Sequence, residues 1–183
     1  MTEARSPLDD LPGEVMIWVL IVSELLVFGA GLAAFLGVRL TDPAGFAAAQ
    51  DTLHRAGAGV NTVVLVTSGL FAALAVRAAQ AMARGRARLW LGLAAVLGLV
   101  FLGLKTVEFL DHAAHGISTE THPFFTFYYL LTGFHAAHVL AGVLLLALVA
   151  IRAAPAPVEV AAAFWHMVDL VWVILFPVIY LLP

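Results

Sequence analysis

The sequence contains no cysteine and few charged residues. Of its 183 residues, 11% are charged, against roughly 25% in an average soluble domain. The lack of cysteine excludes a disulfide scaffold, an iron–sulfur protein and a thiolate zinc site. With 9 Lys and Arg against 12 Asp and Glu, the net charge is −3, so the chain lacks the basic surface that nucleic-acid binding needs. A soluble globule could not cover itself with so few charges.

Apolar residues, by contrast, make up 63% of the chain. A transmembrane helix needs about 20 mostly apolar residues, and runs such as Leu89–Gly103 are apolar on every side, unlike the alternating strands of a membrane barrel. The pattern predicts an all-α polytopic membrane protein, a bundle of five transmembrane helices. We expect a single membrane domain over residues 1–183, with spans at about 16–38, 60–82, 89–110, 124–151 and 160–182.

The short loops predict the orientation of this bundle, because Lys and Arg are enriched on the cytoplasmic side. One side has Arg39 and Arg55. The other side, which we expect to be cytoplasmic, has Arg5, Arg84, Arg86, Arg88 and Arg152. This bias predicts a cytoplasmic N-terminus and an external C-terminus.

A small set of ionisable side chains lies within the predicted spans. Apart from Arg77, whose long side chain can reach the surface, they are Glu24, Lys105, Glu108, His135, His138, His166 and Asp169. Each costs about 2.5–3.5 kcal/mol at the bilayer centre on insertion scales, so each should face other helices and have a partner. In each of the pairs 105/108, 135/138 and 166/169, the two residues lie on the same face of their own helix. Trp165 and Trp172 also share a face of their helix. Estimated depths suggest that Glu24 meets the pair at 166/169.

These side chains have several chemical interpretations. They can act as interhelical hydrogen-bond contacts, with small residues allowing close packing: Gly133, Ala137, Ala141 and Gly142. They also contain metal-ligand types, His-x-x-His and His-x-x-Asp together with Glu24. A haem would need His135 or His138 opposite His166. Glu24 could also take part in proton transfer.

Taken in order, the polar markers resemble subunit III of the haem–copper oxidases, over about residues 12–182. Span one has Val22-Ser23-Glu24, and span three ends with Glu108-Phe109. The most specific segments are Thr132–Val139 in span four and Phe164–Trp172 in span five. Span two adds Asn61-Thr62 and Thr67-Ser68-Gly69.

This resemblance implies a non-catalytic subunit that has no haem and no metal and packs against the haem-bearing catalytic subunit. The family's helices form a V-shaped cleft for phospholipid, so bound lipid is a further expectation here. Glu24 resembles the family's buried carboxylate, which implies a role in proton uptake or at the lipid cleft. The other ionisable residues are then an intramembrane polar network, with haem and metal expected in the partner alone.

The chain resembles a five-helix form that lacks the first two of the family's seven helices. Several features favour the NorE type, which accompanies nitric oxide reductase: Leu11–Glu14, Lys105, Phe125–Tyr128, Met167 and Phe176-Pro177. The main prediction is therefore a NorE-like accessory subunit of a bacterial inner membrane complex, with a periplasmic C-terminus. The first alternative is subunit III of a bacterial cytochrome c or quinol oxidase. Further alternatives are a small haem b electron carrier and an independent proton or solute channel that uses Glu24, Lys105 and Glu108.

Overall fold

A computed structural model of the protein describes residues 15–182. Arg5 and Leu11–Glu14, used above for orientation and subtype, lie outside the described residues. The helices are α1 (Val15–Arg39), α2 (Pro43–Asp51), α3 (Arg55–Gln80), α4 (Arg84–Ala114), α5 (Pro123–Ala150) and α6 (Pro155–Phe176), followed by a π-helical turn at Pro177–Leu181. Five of them are long and apolar enough to cross a membrane, and α2 is a short helix that the sequence did not predict. The predicted all-α bundle of five transmembrane helices is confirmed.

The helices begin where their first residues suit a helix N-terminus. Proline stands in the first turn of α2, α5 and α6, where its fixed φ fits and its missing N–H is not needed. The side chain of Asp42 accepts a hydrogen bond from the Gly45 N–H and caps α2. His122 Nδ1 accepts one from the Phe124 N–H and caps α5 in the same way. Both caps lie at the same end of the bundle, where Asp42 and His122 approach each other.

Helix α6 lies at the centre of the bundle and packs against α1, α3 and α5, while α4 packs between α3 and α5. Half of the most apolar stretch of α6 is buried, against 17% in α1. The α3–α4 contact is close because small buried residues line it, and the Ser68 hydroxyl donates across it to the Ala94 carbonyl at 2.7 Å. Helix α1 therefore depends on few contacts, whereas α6 depends on three neighbours.

Two arginines near the ends of helices have structural partners. Arg39 is 8% exposed, and its Nη1 donates to Gln50 Oε1 and to the Leu182 carbonyl. It therefore ties α1 and α2 to the C-terminal end of the described chain. On the other side, Arg88 donates to the carbonyls of Ala150 and Ile151 and joins the start of α4 to the end of α5.

Candidate functional site

Four side chains form a closed hydrogen-bond network between α4, α5 and the π-helical turn, which we call the lysine network: Lys105, Glu108, Tyr128 and Tyr180. Lys105 Nζ donates to Glu108 Oε2 at 2.9 Å and to the hydroxyls of Tyr180 and Tyr128 at 2.7 and 3.3 Å. Both hydroxyls donate in turn to Glu108 Oε1, at 2.8 and 2.9 Å. All three ammonium protons and both carboxylate oxygens are thus satisfied, and the two charges cancel.

Aromatic rings surround the ammonium group of the lysine network. Nζ lies 5.1–5.3 Å from the ring centroids of Phe109, Tyr128, Trp172 and Tyr180, within cation–π distance, and Lys105 is 2% exposed. A buried ion pair is stable only when its remaining hydrogen-bonding groups are also satisfied. The network meets that requirement, and it ties together helices that are far apart in the sequence.

Tyr180 reaches the lysine network because α6 does not continue as an α-helix. Pro177 has no N–H to donate and crowds the preceding turn, and the chain changes to a π-helical turn there. That wider turn sets the direction in which the Tyr180 side chain points. The three-residue spacing predicts the 105/108 pair, but no local pattern indicates the two tyrosines, which lie 23 and 75 residues from Lys105.

Glu24 on α1 and His138 on α5 form a second polar group. His138 Nε2 lies 3.2 Å from Glu24 Oε2, within ion-pair distance, although the two atoms are not aligned for a direct hydrogen bond. The His138 side chain is 16% exposed and the Glu24 side chain is 20% exposed. Phe28 packs edge-on against the imidazole and shields one side of the pair. The contact joins two helices that otherwise meet mainly through apolar residues.

The hydrogen bond of the other ring nitrogen shows how the imidazole is oriented. His138 Nδ1 lies 2.9 Å from the Phe134 carbonyl, and a carbonyl can only accept, so Nδ1 is the donor. Nε2 is therefore the ring nitrogen that faces the Glu24 carboxylate across the gap between α5 and α1.

His135 is placed differently from His138, although both lie on α5. Its imidazole is fully buried between the rings of Phe101 and Trp172, at 5.4 and 5.1 Å. Nε2 lies 3.1 Å from the Val168 carbonyl and so donates to it. This contact is an interhelical hydrogen bond between α5 and α6.

His166 and Asp169 form a third polar group, on the side of α6 that faces α3. Their nearest atoms, Nδ1 and Oδ2, are 3.9 Å apart, which is too far for a hydrogen bond. The His166 side chain is 48% exposed, whereas that of Asp169 is 12% exposed. Gly69 on α3 makes room for the carboxylate, because a Cβ there would lie 2.1 Å from Oδ2.

The two tryptophans of α6 both bond to α3. Trp165 Nε1 donates to the Ser68 hydroxyl at 3.0 Å, and Trp172 Nε1 donates to the Thr62 hydroxyl at 2.9 Å. The prediction that they share a helix face is confirmed. A Cβ at Gly98 or at Gly142 would lie 2.5–2.6 Å from the Trp165 ring, so both glycines are needed for its packing.

Comparison with known proteins shows what these helices belong to. The family model for cytochrome c oxidase subunit III matches residues 14–182. The chain belongs to the cytochrome c oxidase subunit III family. Its relatives include cytochrome c oxidase subunit 3 of Corynebacterium diphtheriae, 32% identical over 88% of this chain and 84% of the relative. The Bacillus subtilis protein of the same name is 31% identical over 90% and 84%. Cytochrome bo(3) ubiquinol oxidase subunit 3 of Pseudomonas aeruginosa is 30% identical over 90% and 82%.

As a subunit III protein, this chain belongs to a family that associates with the catalytic subunits of haem–copper oxidases. Its five apolar helices make it a multi-pass membrane protein. The predicted polar residues do not form one network. They divide into the lysine network, the Glu24–His138 pair, the separate His135 contact and the pair at His166 and Asp169.

Two expectations about this subunit III protein are wrong. Glu24 does not meet His166 and Asp169, because α1 turns it toward His138 on α5. The second expectation is that four small residues of α5 all allow close packing of helices. Gly142 packs against a tryptophan ring, but Gly133 faces open space and the two alanines named with them, 137 and 141, are exposed on the outer side of the helix.

The metal and haem alternatives concern the same histidines and carboxylates. Across residues 15–182, no three His, Asp or Glu side chains come close enough together to hold a metal ion. In His135, Nε2 donates to a carbonyl, Nδ1 is buried without a hydrogen-bond partner among the described residues, and the rings of Phe101 and Trp172 pack against the imidazole. His138 is turned toward Glu24 instead.

Asp42 lies outside the membrane spans and has a shifted pKa. The Gly45 N–H bond, and then the hydrogen bond with His122, hold the pKa of Asp42 below its usual range. His122 Nε2 lies 3.3 Å from Asp42 Oδ2, so the caps of α2 and α5 contact each other. This contact fixes the short helix α2 against the start of α5.

Proposed function

We propose that this chain is subunit III of a bacterial cytochrome c or quinol terminal oxidase, an accessory subunit that packs against the haem-bearing catalytic subunit. The observation that carries this proposal is the set of relatives. This chain matches more than four-fifths of the length of each, and they are named as subunits of cytochrome c and ubiquinol oxidases. The chain itself performs no redox chemistry in this proposal. Haem and metal belong to the partner, and bound phospholipid is the ligand expected in this chain.

The NorE interpretation is the narrower version of the same proposal. It differs in the partner, a nitric oxide reductase in place of an oxidase. Lys105 is one of the features that favoured it, and this lysine lies in a satisfied network with Glu108 and two tyrosines. Such a network has a structural role whichever gas the partner reduces. We therefore favour the oxidase.

We assign the proton-related role to the Glu24–His138 pair. The pair brings a carboxylate oxygen and an imidazole nitrogen within 3.2 Å of each other, it is partly exposed, and Glu24 lies on the loosely packed helix α1. Carboxyl and imidazole side chains are the groups that most often accept and release protons in proteins. The lysine network is the contrasting case, because every donor and acceptor in it is already paired.

We also place the N-terminus in the cytoplasm and the C-terminus in the periplasm, across the inner membrane. Support comes from Arg39, one of the two arginines that opposed this orientation. It is buried and bonded to Gln50 and the Leu182 carbonyl, so it has a structural reason to stand at that end. The remaining short-loop arginines favour the side of Arg84, Arg86 and Arg88 as cytoplasmic.

The test is purification of the tagged chain from its native membrane in mild detergent. We expect a large haem-bearing subunit to accompany it, a Soret band in the complex but not in the isolated chain, and oxygen uptake by the complex. Nitric oxide consumption without oxygen uptake would favour the NorE partner. A fully active catalytic complex from which the chain is absent in every detergent would refute the accessory role, and a Soret band in the isolated chain would favour the haem carrier.

A second test concerns Glu24. Glu24→Gln removes the ionisable carboxyl group but keeps the shape of the side chain, so assembly should be normal while oxygen uptake declines faster during long turnover assays. Ser23→Ala is the matched control, because the Ser23 hydroxyl bonds to the Leu20 carbonyl of its own helix. Equal persistence of turnover in the parent complex and in both variants would remove the functional role of Glu24.

A further inference from the structure

A lateral groove of about 410 Å³ runs between α3 and α6, and the pair at His166 and Asp169 lies in it. Its remaining walls are apolar: Val66, Leu70, Ala73, Leu170 and Val173, with Gly69 beside the carboxylate. We call this surface the α3–α6 face. It is separate from the Glu24–His138 pair, which lies between α1 and α5.

The α3–α6 face lies at the middle of the membrane. Asp169 stands near the centre of the 27-residue span Pro155–Leu181, and Gly69 near the centre of the 26-residue helix α3. At about 1.5 Å of rise per residue, both are far from either surface of a hydrocarbon core about 30 Å thick. Water and lipid headgroups therefore do not reach these polar atoms readily.

The polar side chains of this face lack hydrogen-bond partners within the described part of the chain. Asp169 Oδ1 is buried and has no hydrogen-bond partner among the residues that the structure describes. Oδ2 lies 3.9 Å from His166 Nδ1, beyond hydrogen-bond distance. The His166 side chain is 48% exposed, whereas those of Glu24, Lys105, Glu108 and Asp169 are at most 20% exposed. A half-exposed histidine beside an unpaired carboxylate is unfavourable against lipid.

We propose that the α3–α6 face is the surface on which a transmembrane helix of the haem-bearing catalytic subunit docks. The occupant carries a hydrogen-bonding side chain at the mid-membrane level, a hydroxyl, amide or cationic group, which meets the half-exposed His166 and the Asp169 carboxylate where they line the groove. The groove beside Gly69 and Ala73 lets its backbone approach closely, and Val66 and Leu170 supply the apolar contacts on either side. This inference rests on the proposed function, because it takes the accessory role as given and names the face that performs it.

Photocrosslinking in the intact complex tests this inference directly. p-Benzoylphenylalanine replaces Leu170 or Val66 on the α3–α6 face, and in matched controls it replaces Leu144 on α5 or Val96 on α4. All four positions are exposed apolar side chains, 47–63% exposed. We expect crosslinks to the catalytic subunit at the first two positions to be at least fivefold more abundant than at the controls. Equal or reversed yields would overturn the inference.

The products also identify the occupant. Crosslinks from position 170 to a second copy of this chain, or to lipid alone, would contradict the proposal. If no haem-bearing subunit accompanies the chain at all, the proposed function fails. If that subunit is present but crosslinks only at positions 144 or 96, the docking face alone is wrong. The two failures are therefore distinguishable.

Substitution of the carboxylate gives a second measurement. Asp169→Asn keeps a hydrogen-bonding side chain of the same size, and Asp169→Leu removes it. We expect the recovery of complex per amount of chain in the membrane to fall about tenfold for Asp169→Leu and less than threefold for Asp169→Asn. The isolated chain should have the same helix content and thermal stability in all three forms. A complex recovered equally well with Asp169→Leu would refute the role of the carboxylate in docking.

Discussion

Replacement of Lys105 by methionine should strongly destabilise the bundle. The change removes the ammonium group but keeps a long apolar side chain, so the packing against the four aromatic rings is largely retained. Glu108 is then left with a buried charge and two tyrosine donors. Breaking a buried ion pair by removing one partner costs about 3–5 kcal/mol in soluble proteins.

The cost in this membrane protein should lie at the lower end of that range. An unfolded chain in detergent finds other partners for its polar groups, and Glu108 can take up a proton when its lysine is lost. We therefore expect about 2–4 kcal/mol for Lys105→Met and a similar loss for Glu108→Gln. The double variant has no buried charge, and its glutamine still accepts from the tyrosines, so we expect a loss of about 1 kcal/mol.

Reversible unfolding of the purified chain by SDS, followed by tryptophan fluorescence, measures these differences. The double-mutant cycle should give a coupling of at least about 2 kcal/mol between the two positions. The Lys105→Met chain should also gain stability as the pH falls, because its folded state then binds a proton that removes the buried charge. Additive losses, without coupling, would refute the view that these two charges stabilise each other.

Further predictions concern packing and the exposed caps. Gly142→Ala should cost about 1–3 kcal/mol, because its Cβ would overlap the indole ring packed there, while Gly133→Ala, which faces open space, should be neutral in the same SDS titration. The lowered pKa of Asp42 means that the stability it adds is present above about pH 4 and is lost as the pH falls further. The protection factor of the Gly45 amide, which relates its hydrogen exchange to the intrinsic rate at the same pH, should therefore fall in acid and in Asp42→Ala at neutral pH. An unchanged protection factor would show that neither the cap nor its His122 contact holds α2.

Local spacing predicted the parts of the structure that depend on one helix. Five apolar runs predicted five membrane helices, and the three-residue spacing placed Lys105 beside Glu108 on one face of α4. The seven-residue spacing placed Trp165 and Trp172 on one face of α6. Each of these predictions needs only the helical period, which is the same for every helix.

Contacts between helices were not predictable in the same way. Tyr180 reaches Lys105 because Pro177 widens the last turn of α6, and nothing local to Tyr180 indicates its partner. The partner of Glu24 depends on how α1 is rotated against α5 and α6, and the depth estimate alone chose the wrong helix. Depth along the membrane normal leaves the rotation of each helix about its axis undetermined.

The sequence by itself determined the class of this protein: a five-helix membrane bundle of the subunit III family, without thiol chemistry and with few ionisable residues inside the membrane. The tertiary structure decided what those residues do. It closed the lysine network, paired Glu24 with His138 and left Asp169 with an unpaired oxygen at mid-membrane. The physical reason is that apolar length and helical period act within one segment, whereas a buried polar side chain is satisfied by whatever the neighbouring helices present to it.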